Sequence, residues 1–118
     1  MSTSRAAIER EPIPPGTLDM LILKTLARAG ANQLHGFEIA QAIHQRSRSV
    51  LHVEEGSLYP ALQRMLIKGW IAGEWGHTPE RRRARYYRLT PAGKKQLDRE
   101  IASYTRVAAA VTLIIQPT

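Results

Sequence analysis

The chain has 118 residues, 43% hydrophobic and 23% charged, which suits one globular unit and excludes fibrous and wholly disordered classes. Seventeen Lys and Arg against ten Asp and Glu give a formal charge of +7, so the surface attracts polyanions, nucleic acid first and an anionic membrane surface second. The absence of cysteine excludes disulfides, thiol nucleophiles and Cys-based zinc sites and fits a reducing compartment.

Residues 1–14 mix both charge signs, lack the apolar core of a signal peptide and lead into the Pro14-Pro15 pair, which opposes helix. They read as a flexible lead-in, with Arg5 and Arg10 as charges of a frayed end rather than phosphate contacts. A domain spanning 15–90 follows. Leu18, Ile22, Leu26 and Ala29 recur at helical spacing between Thr17 as N-cap and Gly30 as stop, which predicts a helix over 17–29. A polar connection through Asn32 leads to a second helix over 36–47, with Phe37, Ala40 and Ile43 on one face. After a linker over 47–53, a third helix starts between Glu54 and Ser57 and runs through Leu58, Leu62, Met65 and Leu66 to a Gly69 cap. Pro60 is tolerated near its start, where N–H groups have no intrahelical partner to lose.

Residues 70–76 and 84–89 alternate β-branched and aromatic side chains around the polar stretch HTPERRR, the pattern of a hairpin with a long basic tip. Trp70 and Trp75 are expected to pack this sheet against the helices. Thr90 and Pro91, as N-cap and first helical residue, open a last helix reaching Ile115 within a C-terminal unit over 91–118. Its Leu97, Ile101, Tyr104, Ala108, Val111 and Ile115 alternate steps of four and three, an a/d seam suited to dimerisation. The apolar run at 107–115 falls short of the roughly 20 residues needed to span a bilayer, so a soluble, cytoplasmic protein is expected.

The resulting class is mainly α with a small β-hairpin: a winged helix-turn-helix followed by a C-terminal dimerisation helix. In that architecture the third helix offers its N-terminal half to the major groove, and the wing reaches the phosphate backbone or minor groove. The candidate DNA-binding residues are Ser57, Tyr59, Gln63 and Arg64 on the helix, and Arg81, Arg82, Arg83 and Arg85 on the wing. Arginine suits the wing because its planar fork matches phosphate oxygens and narrow minor grooves. Dimerisation would set two recognition helices one DNA turn apart, roughly 34 Å. His35, His44, His52 and His77 lack metal-ligand spacing, the eight glycines stand singly, and no nucleophile or Walker motif occurs. No metal, cofactor or enzymatic activity is therefore expected. The alternative function is a winged-helix protein-interaction module that uses its basic face on an acidic partner.

Four strings carry a more specific signal: PGTLDMLIL, LHGFEIAQAI, VEEGSLYPALQRMLIKGWI and RYYRLTPAGKKQL. Together they resemble the PadR family of bacterial transcriptional regulators, and the resemblance extends over about 100 of the 118 residues. The resemblance implies a homodimeric repressor of its own or a nearby operon, bound to double-stranded DNA at a pseudo-palindromic operator. It also implies that Tyr59 lies on the recognition helix and that the arginines at 81–85 contact DNA. Hydrophobic or phenolic small molecules act as effectors in some members of that family. The single helix after the wing is similar to its short branch. Three departures stand out: residues 31–34 lengthen the connection between the first two helices, the tip reads TPERRRAR where related sequences often carry Gly or Asn, and the final helix lacks the Trp of a drug-stacking pocket seen in one branch.

Overall fold

The computed structural model describes residues 12–14 and 16–117, so the expected lead-in lies outside the described residues apart from 12–14. The elements run α1 (Leu18–Ala29), β1 (Leu34–His35), α2 (Gly36–Arg46), α3 (Glu55–Ile67), β2 (Ile71–His77), β3 (Arg83–Leu89) and α4 (Pro91–Ile115). Apolar residues at helical spacing build one core, from Ile22, Leu23 and Leu26 of α1, Ile39 and Ile43 of α2, and Leu58, Ala61, Leu62 and Met65 of α3. Ile71, Tyr87 and Leu97 close it from the sheet and α4.

Several local devices differ from expectation. Thr17 does not cap α1 with its side chain; its hydroxyl donates instead to the Pro14 carbonyl. The connection expected to be irregular holds β1, which pairs antiparallel with β3 through Leu34 opposite Tyr87 and His35 opposite Tyr86. The sheet is thus three-stranded, in the order β1-β3-β2. Phe37, expected on the buried face of α2, is 65% exposed. At about 100° per residue it lies nearly opposite Ile39, which takes the core side. α2 is capped by His35, whose Nδ1 accepts from the Glu38 N–H at 3.3 Å while the Glu38 carboxylate accepts from the His35 N–H at 3.0 Å.

α3 begins at Glu55, which places Pro60 in its second turn and removes the donor that the Gly56 carbonyl would normally meet. The helix stops where Gly69 N–H bonds Leu66 O at 3.1 Å and Trp70 N–H bonds Met65 O at 3.0 Å, a Schellman ending with Gly69 at φ 77°. That ending turns the chain directly into β2.

α4 is anchored to the same junction. Thr90 N–H bonds Trp70 O at 3.1 Å, and its hydroxyl donates to Gly69 O at 2.6 Å while accepting from Gly93 N–H at 3.0 Å. Gly93 lies so close that a Cβ there would stand 1.9 Å from Trp70 O. Leu97, counted in the dimer seam, is 2% exposed and belongs to the core, because the first turns of α4 lie on α1. Beyond it the helix runs past the start of α1, where Tyr104 and Val107 border a groove with Thr17 and Met20, and then leaves the body. Ile101, Tyr104, Val107, Val111, Leu113, Ile114 and Ile115 are all exposed, and the described chain measures 54 × 36 × 22 Å. No helix among the described residues is long and apolar enough to cross a membrane.

Candidate nucleic-acid interface

The pleat of the hairpin decides where the wing arginines point. In the β2–β3 register Ile71 faces Leu89, Gly73 faces Tyr87, Trp75 faces Arg85 and His77 faces Arg83. Side chains alternate between faces along a strand, so these four pairs share one face. At the base of the hairpin that face is core, with Ile71 and Tyr87 buried. Toward the tip the same face carries Trp75, Arg85 and Arg83, which therefore overhang the helices instead of pointing away from them.

The result is a cleft of about 520 Å³ between α3 and the wing. Its walls bring together Tyr59 and Gln63 from α3 with Arg82, Arg83 and Arg85 from the wing. The other sequence-predicted residues lie outside it. Ser57 is exposed in the first turn of α3, Arg81 is exposed at the wing tip, and Arg64 donates to Asp19 of α1 at 2.6 Å. That ion pair orients Arg64 toward α1.

Tyr59 is 47% exposed, and its ring lies across the start of α2, where a Cβ on Gly36 would come within 2.8 Å of Tyr59 Oη. Beneath it, burial pushes the Tyr87 phenol above its usual pKa; Arg85 acts in the opposite direction and Tyr59 adds a smaller upward push. The phenol thus stays neutral in the cleft floor at ordinary pH.

Trp75 does not pack the sheet against the helices as expected. It is 56% exposed, and its ring carries the Arg83 guanidinium at 4.3 Å and that of Arg85 at 5.7 Å. Stacking on a flat ring restricts two long side chains that would otherwise sample many rotamers. Arg85 Nε is moreover buried with no hydrogen-bond partner among the described residues, where it crosses Gly73. Such an atom costs about 1–3 kcal/mol, so folding stability alone does not favour this arrangement.

The wing tip is closed by Thr78, whose N–H bonds Arg82 O at 2.8 Å and whose carbonyl accepts from Arg81 N–H at 2.8 Å. The three residues between them form a tight loop in which Arg81 takes φ 65°. That left-handed position favours Gly or Asn, and the chain keeps an arginine there. Sequence reasoning missed three contributors to this region: His35, Phe37 and the clad Trp75. The string HGFE carried a signal for the first, since a glutamate three residues after a cap candidate marks a capping box.

The chain is similar to known proteins in sequence and in fold. Residues 22–99 match the model of the transcriptional regulator PadR-like family. A protein of Mycobacterium tuberculosis described as a transcriptional regulator is 34% identical over 89 residues, covering 75% of this chain and 79% of its own. The structure of a transcriptional regulator from Clostridium thermocellum superimposes with a TM-score of 0.76 at 25% identity, covering 86% of this chain and 95% of that one. A PadR-like transcriptional regulator from Bacillus cereus does so with a TM-score of 0.70 at 26% identity, over 87% and 95%.

Proposed function

Because the chain belongs to the PadR-like family of transcriptional regulators, we propose that it represses transcription by binding a pseudo-palindromic operator as a homodimer. The observation that carries the reading is the shared cleft: Tyr59 and Gln63 of α3 face the same hollow as Arg82, Arg83 and Arg85 of the wing. A duplex whose major groove receives α3 presents its flanking phosphates to the wing. Arginines supply the sequence-independent attraction there, and the polar residues of α3 supply discrimination between base edges. Arg64, held toward Asp19, then serves the flank of the contact instead of its centre.

The test is a gel-shift titration on the DNA upstream of the protein's own gene against a random duplex of equal length, repeated across salt concentrations. Arg83→Ala should weaken binding to both duplexes and reduce the salt slope by about one unit. Tyr59→Ala should leave the slope in place and lower the ratio of operator to random affinity. If both variants bind like the parent, DNA does not occupy this cleft.

A second prediction follows from the tip. Arg81→Asn should relieve the left-handed strain and raise stability by up to about 1 kcal/mol in a thermal melt. The same variant should bind both duplexes more weakly, having lost a cation. A variant that gained stability and kept full affinity would show that Arg81 does not touch the duplex.

A further inference from the structure

Among the described residues, Phe37 is a large apolar side chain on the rim of this cationic cleft that neither the core nor a stacked arginine accounts for. It is 65% exposed, stands in the first turn of α2, and has its ring centroid 6.4 Å from that of His35. Together with Tyr59 it lines the cleft under the wing and also the groove of about 670 Å³ between α2 and the start of α3. The two rings therefore form a ridge between the hollows, on the side that carries the candidate DNA contacts.

An aromatic ring at that place gains nothing from a phosphate, which prefers the neighbouring Arg82 and Arg83. The apolar group that a duplex offers in its major groove is the C5-methyl of thymine, and apolar side chains recognise it by contact. We infer that Phe37 reads a thymine methyl in each half-site, adding an apolar determinant to the polar readout by α3. The inference rests on the DNA-binding reading proposed above and extends it to α2, outside the recognition helix.

The experiment first selects duplexes from a randomised pool with the parent protein. Each thymine of the selected site is then replaced by uracil, one at a time, which removes only the methyl group. For the parent, affinity should fall about fourfold at one thymine per half-site, the worth of one methyl taken out of water. Phe37→Ala, which removes the ring from both protomers, should bind the unmodified site about as weakly as the parent binds a site carrying uracil in both half-sites, roughly 16-fold below the parent on the unmodified site, and should not respond further to either replacement. Phe37→Leu, which keeps an apolar contact, should still respond. Because the ring is exposed, both variants should melt like the parent.

Indifference of the parent to uracil at every position would overturn the inference while leaving operator binding intact. A fourfold loss that persists in Phe37→Ala at the same thymine would also overturn it. Failure to select any sequence from the pool would instead remove the DNA reading, and this inference with it.

Discussion

Gly93→Ala should unfold a large fraction of the protein, with a loss of at least about 3 kcal/mol against the roughly 5–15 kcal/mol typical of a small domain. The added Cβ would meet Trp70 O at 1.9 Å, Trp70 C at 2.9 Å and Leu89 Cδ1 at 2.8 Å. The leucine can rotate away. The carbonyl cannot, because it accepts the Thr90 N–H at 3.1 Å and lies in the turn that ends α3. Relief therefore requires α4 to slide off the junction, which breaks the Thr90–Gly69 hydrogen bond and withdraws Leu97 from the core. Leu97 alone is worth about 2 kcal/mol of burial. Urea or thermal denaturation measures the loss, and a parent-like transition would mean that α4 is not seated on Trp70 as described.

Val111→Glu should separate the proposed dimer and lower operator affinity by roughly 100-fold or more, since two linked readers gain about that factor over one. The reasoning starts from α4 beyond Leu97. Ile101, Tyr104, Val107 and Val111 are exposed there, Tyr104 and Val107 at the edge of a groove against α1 and Val111 beyond it, and 113–115 add three more apolar side chains. Such a stripe on an isolated protomer is an aggregation liability, and a second copy of the same helix is the simplest cover for it. A carboxylate buried between two such helices lacks a partner and costs several kcal/mol. Sedimentation at micromolar protein should shift from dimer to monomer, whereas the melting of the winged domain should change little because Val111 is not part of its core. A parent that sediments as a monomer, or a Val111→Glu variant that remains dimeric, would sink the seam. Val111→Leu serves as the control and should remain dimeric.

Much of this molecule was legible before its structure, and the parts that were not share a cause. The last helix was readable at both ends because Thr90-Pro91 is a strong local start and the apolar spacing persists to Ile115. The hairpin was readable because strand-like alternation flanks a polar tip. β1 was not, since two residues cannot display a period and only Tyr86 and Tyr87 across the sheet make them a strand.

The rule that large apolar groups are core sends Phe37 and Trp75 inward, but it ignores which neighbours have already filled the interior. Ile39 and Ile43 take that place on α2, and the arginines claim the ring on the wing. Leu97 fitted the seam by spacing alone, but spacing cannot say which surface a helical face will meet. For the candidate site, residue types and their elements were readable. The sharing of one cleft by α3 and the wing required the strand register, and the orientation of Arg64 toward Asp19 required the tertiary fold.

The double tie at Thr90 has a mechanical consequence. With α4 bolted to the turn between α3 and β2, no loose hinge separates the long helix from the reading head. A 25-residue helix is a lever roughly 37 Å long. In a pair joined along these levers, a small change in their crossing angle swings both heads as rigid arms and alters the distance between them. Whatever wedges the levers apart would then detune the protein from its DNA spacing without touching a single nucleotide.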